Sequence, residues 1–346
     1  MEQIGQHTRH EIASQPEVWG EALMYLEEHA AALQQLFTAG TYDSLLFTGC
    51  GSTYYLAIAA AALAQDLCGL PARGVPASEL WLDRSATARI GHRPLLIAVS
   101  RSGATTETLR ACVAWRAAGG DLLTLSCYPD QPLATLGNLN LILTSGQEQS
   151  IAQTRAFSTL YLTTVFAAAC WGGRADLLAA LRGLPSAGQQ VLAESQPLVE
   201  ALGGNLGIDR IYVLGSGIRY GLACELSLKL KEMSLSHSEP FHFLEFRHGP
   251  KSMVTPDALV VGLCSEVNRA HEEAVLREMR AQGGRILTIA EHDAEVSFRS
   301  GLPEPVRAIL YLLPLQQLAF ARSIARGLDP DRPLHLDAVV RLDGNV

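Results

Sequence analysis

The 346-residue chain has few aromatic residues and no surplus of positive charge. Phe, Trp and Tyr make up 6% of it, so aliphatic side chains and alanine must fill most of the core. It has 27 Lys and Arg residues against 35 Asp and Glu residues, a formal net charge of −8 at pH 7. Because nucleic-acid binding requires cations that neutralise phosphates, this balance argues against a nucleic-acid partner.

Signals for disulfide formation, export and membrane insertion are also missing. The seven cysteines are scattered without a C-x-x-C pair, which is typical of reduced cytosolic proteins. The first 19 residues are polar and charged, whereas a secretion signal has an apolar segment. The most apolar runs, Leu56–Ala64 and Leu160–Trp171, are shorter than the roughly 20 residues that cross a bilayer. We therefore expect a cytoplasmic protein with no membrane partner.

The sequence does contain an internal repeat. Tyr42–Ala57 aligns with Ile208–Ala223 at a spacing of 166 residues (208 minus 42), and both copies include a G-x-G turn. Two further pairs of apolar runs follow in the same order: Leu95–Ser100 with Leu259–Cys264, and Gly119–Ser126 with Gly283–Ala290. This order indicates a duplication with three matched strands in each half.

The matched runs are short, rich in branched aliphatic residues and nearly continuous, which is typical of parallel strands covered by helices on both faces. Stretches of helical length lie between them. We therefore predict an α/β fold with two tandem doubly wound parallel-sheet domains. The expected division is a helical leader (residues 1–40), a first domain (41–182), a second domain (200–332) and a C-terminal tail (333–346).

One loop of the first half is suited to an anion. Ligands of open α/β sheets bind beyond the carboxyl ends of the strands, where helix N-termini present unpaired N–H groups. Ser100–Thr108 follows a strand and begins a helix with hydroxyl groups that could donate to a phosphate or merely cap the helix. At the equivalent place the second half has Cys264–Asn268, where Glu266 would repel a phosphate. We therefore expect one anion site per chain.

No nicotinamide cofactor is predicted, because the turn Gly49–Gly51 lacks the third glycine of a dinucleotide fingerprint. No metal is predicted either. We expect Ser236–Val254 to form a loop, and its histidines have the spacing H-x₄-H-x₅-H, which matches no standard zinc site.

The second half carries candidate acid–base groups. In Leu222–Ser236, four polar residues share one helix face: Glu225, Lys229, Glu232 and Ser236. This face is compatible with a solvated stripe of ordinary i,i+4 pairs and also with one wall of a ligand crevice.

Taken together, these motifs resemble the sugar isomerase (SIS) family of phosphosugar enzymes. The resemblance rests on the duplicated fold, S-x-S-G-x-T at Ser100–Thr105, L-K-L-K-E at Leu228–Glu232 and R-H-G-P at Arg247–Pro250. Within the family the pattern is similar to the isomerase half of glucosamine-6-phosphate synthase and to stand-alone amino-sugar-6-phosphate deaminase/isomerases. The leader H-E-I-A-S-Q-P-E-V-W (His10–Trp19) is similar to the E-I-x-x-Q-P segment that precedes their first SIS domain.

The resemblance implies SIS domains of flavodoxin-like topology and a role for each matching residue. The sugar 6-phosphate would be held by Ser100, Ser102, Thr105, the backbone at Arg101 and the hydroxyl of Thr53, with Gly51 and Ser52 lining the pocket. Ile151–Phe157 matches the family's V-A-S-T-K-A-F loop, which implies that Ala152 and Gln153 line the sugar site.

The resemblance also implies the catalytic groups. Glu232 would move a proton between C1 and C2, Lys229 would be its neighbouring cation, and His248 would open the sugar ring. Because that histidine comes from the partner subunit in the synthase, a homodimer with a shared active site is implied. The synthase's C-terminal lysine falls on Ala338, and Arg341 is displaced from that position, so no Schiff-base role is transferred.

The predicted function is that of an amino-sugar-6-phosphate deaminase/isomerase without a metal or redox cofactor. It would convert glucosamine- or galactosamine-6-phosphate into a ketose 6-phosphate and ammonia. Amidotransfer is not expected, because the sequence contains no glutaminase domain. The alternatives are a fructosamine-6-phosphate deglycase, a plain phosphosugar isomerase and, from another class, a non-catalytic sugar-phosphate sensor.

Overall fold

A computed structural model describes residues 4–342. The outermost parts of the predicted leader and tail, residues 1–3 and 343–346, lie outside the described residues. The helices are α1 (Gln6–Ala13), α2 (Gln15–Gly40), α3 (Ser52–Cys68), α4 (Ala77–Leu82), α5 (Arg84–Thr87), α6 (Thr106–Ala117), α7 (Arg155–Trp171), α8 (Ala175–Leu181), α9 (Leu184–Gly204), α10 (Ile218–Ser234), α11 (Arg269–Ala281), α12 (Glu304–Arg307) and α13 (Leu312–Ala325). The strands are β1 (Ser44–Gly49), β2 (Ala72–Pro76), β3 (Pro94–Val99), β4 (Leu122–Ser126), β5 (Leu139–Ile142), β6 (Arg210–Leu214), β7 (His237–Phe241), β8 (Ala258–Leu263), β9 (Arg285–Ala290) and β10 (Val296–Ser297).

The chain divides into two compact units, each of which contains one sheet. The first-sheet unit consists of Glu17–Glu148, Arg155–Arg182 and the residues from Asp337 onward. The second-sheet unit consists of the chain as far as Pro16, Gln149–Thr154 and Gly183–Leu336. The predicted helical leader is therefore shared between the units, since α1 belongs to the second-sheet unit and α2 to the first.

Both sheets are parallel and have the same strand order. The first is ordered β2-β1-β3-β4-β5 and the second β7-β6-β8-β9-β10. Counted within each half, both orders read 2-1-3-4-5, the order of a doubly wound fold. The predicted fold class is thus confirmed, and the shared topology supports the duplication.

The strands that sequence analysis predicted are the three central ones of each sheet. The strands it did not predict are β2, β5, β7 and β10, which lie at the sheet edges or are very short. His237 therefore begins an edge strand, whereas we expected it in a loop. An edge strand with one solvated side has no continuous apolar run, and so the hydrophobic pattern that revealed the others is absent.

The core of each unit lies between the sheet and its helices. In the first-sheet unit it includes Leu46, Val75, Leu96, Leu109, Trp115 and Leu122. In the second-sheet unit it includes Tyr212, Leu214, Phe243, Phe246, Val260 and Leu276. By length and composition, Glu304–Ala325 could cross a membrane, but 72% of its most apolar window is buried, and its main part, α13, packs against α9 and α10. A buried core helix passes the same compositional test.

The repeated G-x-G turns join β1 to α3 and β6 to α10 in the same conformation. Gly51 and Gly217 have φ of 55° and 59°, a region that favours glycine. The preceding glycines allow a close approach: a Cβ on Gly49 would lie 2.5 Å from Thr53 Oγ1, and one on Gly215 would lie 2.4 Å from the Arg219 carbonyl oxygen. Both features explain why the two glycines recur in each half.

Replacing Gly215 with alanine tests this packing. Because the added methyl meets backbone atoms, Gly215→Ala should lower the free energy of unfolding by about 1–3 kcal/mol. Gly204→Ala is the matched control, since a Cβ there meets nothing within 4 Å and alanine favours the helix by up to about 1 kcal/mol. Urea unfolding of both variants measures the difference, and equal midpoints would contradict the close approach.

Candidate functional site

The loop from Ser100 to Thr105 joins β3 to α6, and its hydroxyl groups stabilise the loop itself. Ser100 Oγ accepts the N–H of Gly103 at 3.2 Å, and Ser102 Oγ accepts the N–H of Ala104 at 3.2 Å. Thr105, the N-cap residue of α6, makes no side-chain cap hydrogen bond. Ser100 Oγ also lies 3.4 Å from Thr105 Oγ1, and either hydroxyl can be the donor of that bond. Since both serine oxygens serve as acceptors of backbone N–H groups, the Ser102 proton and one proton of the Ser100 and Thr105 hydroxyl pair are suited to donate to an anion. These contacts weigh against a simple helix-capping role.

The G-x-G turn at the start of α3 is closed by Thr53. Its Oγ1 accepts the N–H of Cys50 at 3.0 Å and donates to the Cys50 carbonyl at 2.9 Å. The role of this hydroxyl in phosphate binding stays a prediction. To donate to a phosphate, the Thr53 hydroxyl would have to give up its hydrogen bond to the Cys50 carbonyl. Ser52 is buried at the first position of α3. Burial raises the pKa of the Cys50 thiol, so this cysteine is not a thiolate nucleophile near neutral pH.

The side chain of Arg101 is buried and bound within the first-sheet unit. Its guanidinium pairs with the buried Glu148 at 3.4 Å and donates to the carbonyl of Ala338 at 3.1 Å. The tail continues over the start of α6, where Leu342 N–H donates to Thr106 Oγ1 at 3.2 Å. We therefore expect Arg101 to contribute to an anion site through its backbone only, as the resemblance implies.

The acid–base candidates of the second-sheet unit centre on a buried ammonium group. Lys229 is fully buried; its Nζ lies 3.4 Å from Glu225 Oε1 and pairs with the carboxylate of Glu232. Glu225 is also fully buried, whereas the side chain of Glu232 is 20% exposed. One cation thus balances two carboxylates, of which only Glu232 reaches solvent. This burial rules out the solvated stripe that was one of two interpretations of this face.

Ser236 does not belong to that helix face, contrary to our expectation. α10 ends at Ser234, and Leu235 has a left-handed φ of 49° that ends the helix. Ser236 Oγ instead accepts a hydrogen bond from Arg322 Nε at 2.6 Å. The wrong prediction has a local cause, because nothing in the sequence marks Leu235 as the stop.

The histidine-rich segment is ordered by Phe243 and Phe246, which are buried in the core. His242 stacks on Tyr220 with ring centroids 3.8 Å apart, and burial lowers its pKa. His248 is exposed after the short 3₁₀-helix Glu245–Arg247, and its imidazole makes no hydrogen bond or ion pair within residues 4–342. No hydrogen bond or ion pair joins this imidazole to Lys229 or Glu232 in the described part of the chain. Within residues 4–342, no group of three or more His, Cys, Asp or Glu side chains could hold a metal ion.

The segment Gln149–Thr154 belongs to the second-sheet unit, together with α10. Ala152 is buried, and Gln153 Oε1 is a buried acceptor without a hydrogen-bond partner within the described part of the chain. An unsatisfied buried oxygen costs about 1–3 kcal/mol, so Gln153 is suited to accept a hydrogen bond from a bound molecule.

The crevice of the second sheet that corresponds to the Ser100–Thr105 loop is occupied by a carboxylate that sequence analysis missed. Glu272 accepts the N–H and hydroxyl of Ser265 at 2.6 and 3.1 Å and pairs with Arg219 at 3.4 Å. The charge of Glu266, which we expected to repel a phosphate, is compensated by Arg307. The repeat itself could have indicated Glu272, since Thr108 stands at the equivalent position 164 residues earlier (272 minus 108).

A family model, curated relatives and solved structures all match this chain over most of its length. The family model of the SIS domain matches residues 42–170 and 207–299. The glutamine–fructose-6-phosphate aminotransferase [isomerizing] of Bordetella parapertussis is 30% identical over 96% of this chain, which spans only 58% of that relative's length. The structure of glucosamine-6-phosphate deaminase from Thermotoga maritima matches with a TM-score of 0.83 and 26% identity, covering 97% of this chain and 100% of that one. Tagatose-6-phosphate ketose/aldose isomerase from Escherichia coli shares the fold, with a TM-score of 0.84, 23% identity and coverage of 95% and 96%.

Removing the carboxylate of Glu272 tests its role in the second crevice. Glu272→Ala leaves Arg219 and the Ser265 amide without this buried partner, and the free energy of unfolding should fall by about 3–5 kcal/mol. Glu273→Ala is the control, because its partly exposed pairs with Arg269 and Arg277 should be worth less than about 1 kcal/mol. Chemical denaturation of both variants provides the comparison. Similar losses would show that Glu272 is no more important than a surface glutamate.

Proposed function

This chain belongs to the SIS-domain family, and on that premise we propose that it is a phosphosugar isomerase that acts as an amino-sugar-6-phosphate deaminase/isomerase. The observation that carries the proposal is the buried Lys229, which holds the partly exposed carboxylate of Glu232. The match along nearly the whole chain to the deaminase of Thermotoga maritima supports this reaction over the alternatives.

The proposed reaction requires a base that moves one proton. Glu232 removes the proton from C2 of the open-chain aldose and returns it to C1. The amine loses one proton and O1 gains one through solvent, which leaves a hydroxyl group on C1 and an imine at C2. Water adds to this imine, and ammonia leaves, so that one amino sugar phosphate and one water give one ketose phosphate and one ammonia. A positioned general base of this kind contributes about 10²- to 10⁴-fold to the rate. Lys229 fixes the carboxylate and compensates its charge.

The substrate phosphate is proposed to bind the Ser100–Thr105 loop, far along the sugar from the reacting carbons. The hydroxyl protons of this loop support the assignment, because the oxygens of Ser100 and Ser102 already accept loop N–H groups and the hydroxyls of Ser100 and Thr105 share only one hydrogen bond with each other. Binding energy from a remote phosphate can be used to orient the reacting carbons, which is worth about 7–11 kcal/mol in favourable cases. We further propose that Ala152 and Gln153 line the sugar.

A homodimer with a shared active site is part of the proposal. The exposed imidazole of His248 makes no polar contact within residues 4–342, which leaves it available to a site on a second copy of the chain. In that arrangement His248 of one subunit would open the sugar ring for Glu232 of the other.

A substrate panel tests the function. The purified protein should release ammonia and a ketose phosphate in equal amounts from glucosamine-6-phosphate or galactosamine-6-phosphate, measured by coupled assays. Fructosamine 6-phosphates and plain ketose phosphates serve as comparison substrates. Turnover of those compounds alone would reassign the activity to a deglycase or a plain isomerase. Binding of sugar phosphates without any turnover would indicate a sensor instead.

Mixing two inactive variants tests the shared site. Glu232→Gln should bind substrate without turnover, and His248→Ala should lose ring opening. If His248 acts on the partner's site, random heterodimers contain one intact site, and mixing should restore about a quarter of the wild-type activity. Each variant mixed with itself is the control. No recovery after verified subunit exchange would place His248 outside the partner's site.

A further inference from the structure

The leader motif E-I-x-x-Q-P, Glu11–Pro16, contains none of the proposed acid–base or phosphate-binding residues. Glu11 lies in α1 and is 1% exposed, and no Lys, Arg or His within residues 4–342 forms an ion pair with it. Burying a carboxylate without a cation costs several kcal/mol unless hydrogen bonds compensate for the lost water. Hydrogen-bond donors must therefore stabilise the buried carboxylate of Glu11.

Those partners all belong to the start of one segment, Gln149–Thr154. The carboxylate of Glu11 accepts the backbone N–H of Gln149 at 2.6 Å and that of Ser150 at 3.3 Å, and also the hydroxyl of Ser150. Hydrogen bonds to an ionised acceptor are about twice as strong as neutral ones. The leader thus holds the beginning of a segment about 138 residues away in the sequence.

The second polar residue of the motif holds the other end of the same segment. Gln15 Nε2 donates to Gln316 Oε1 at 2.8 Å, and Gln316 Nε2 donates to the carbonyl of Thr154 at 3.4 Å. All three residues are buried. The motif therefore reaches both ends of a six-residue segment that has no regular secondary structure of its own.

A third contact fixes the middle of the segment and ties it to α1. The carbonyl of Asp331 accepts the N–H of Ile151 at 3.0 Å, while its carboxylate accepts the N–H and hydroxyl of Thr8, both at 2.7 Å. Between these anchored points lie Ala152 and Gln153, whose buried Oε1 has no partner within residues 4–342. The backbone is thus held on both sides of this unsatisfied acceptor.

We propose that α1 is a positioning element of the sugar site: Glu11 and Gln15 fix the backbone of Gln149–Thr154 so that Gln153 meets a sugar hydroxyl or amine. Glu11 is a positioning residue and not a catalytic one. This inference rests on the proposed function, because a sugar phosphate must be the molecule that Gln153 contacts.

The experiment compares Glu11→Gln with Glu11→Asp and with Glu17→Gln, a control at an exposed glutamate of α2. The glutamine amide places N–H groups against the N–H donors of Gln149 and Ser150, whereas aspartate keeps the charge. We expect hydrogen exchange at Gln149 and Ser150 to speed up in Glu11→Gln, partly recover in Glu11→Asp and stay unchanged in the control.

The kinetic arm separates positioning from general damage. In Glu11→Gln the KM for the amino sugar phosphate should rise about 10- to 100-fold, while inhibition by inorganic phosphate, which depends on the Ser100–Thr105 loop, should change less than about twofold. Unchanged exchange would overturn the role of Glu11. Faster exchange with an unchanged KM would overturn the link to the sugar site. A loss of phosphate inhibition as large as the rise in KM would overturn it as well.

The hydrogen-exchange measurement separates a failure of the proposed function from a failure of the proposed role of Glu11. If the wild-type protein turns over no sugar phosphate, the exchange measurement still reports on the role of Glu11. Equilibrium binding of glucosamine-6-phosphate then replaces KM, with the same expected loss of affinity. If the wild-type protein does not bind this compound either, the sugar-site role of α1 is wrong together with the function.

Discussion

An ammonium group buried between two carboxylates is the interaction on which the proposed chemistry of this protein depends. Lys229 cannot lose its hydration without charged partners, and Glu225 and Glu232 supply them from the same helix. Because Glu225 is sealed from solvent and Glu232 is not, the arrangement leaves one carboxylate accessible and holds it in a fixed position. A surface pair of the same residues would leave both carboxylates mobile and fully hydrated.

The two halves share their topology and their G-x-G turns. They differ in which side chains accept hydrogen bonds from the loop that follows the third strand of each half. In the first half, serine hydroxyls accept loop N–H groups and can donate their own protons. In the second half, the carboxylate of Glu272 accepts the N–H and hydroxyl of Ser265, and Arg219 stands at the position of Thr53. Charged residues in the second half thus stand where the first half has hydroxyl groups, and this difference is the physical reason that we propose an anion site in the first half only.

Sequence analysis predicted the central strands and the loop after β3 because each has a local signature, and the anion-binding role of that loop stays a prediction. Strands buried on both faces read as continuous apolar runs, and a hydroxyl-rich turn after such a run marks a ligand loop. The edge strand β7, H-S-E-P-F, has no such run. The burial of Glu225 and Glu272 could not be predicted, because a glutamate in a charged helix looks solvated until its partners from other elements are known. The role of Glu11 likewise depends on residues far away in the sequence.

The path of the chain has a consequence for the repeat. The backbone passes between the two units five times, at residues 16–17, 148–149, 154–155, 182–183 and 336–337. A protein cut at the midpoint of its repeat would therefore yield two fragments that each lack pieces of their own unit. The N-terminal fragment would carry α1 and Gln149–Thr154 away from the sheet they belong to. Although the architecture was doubled, neither half of the sequence contains a complete unit.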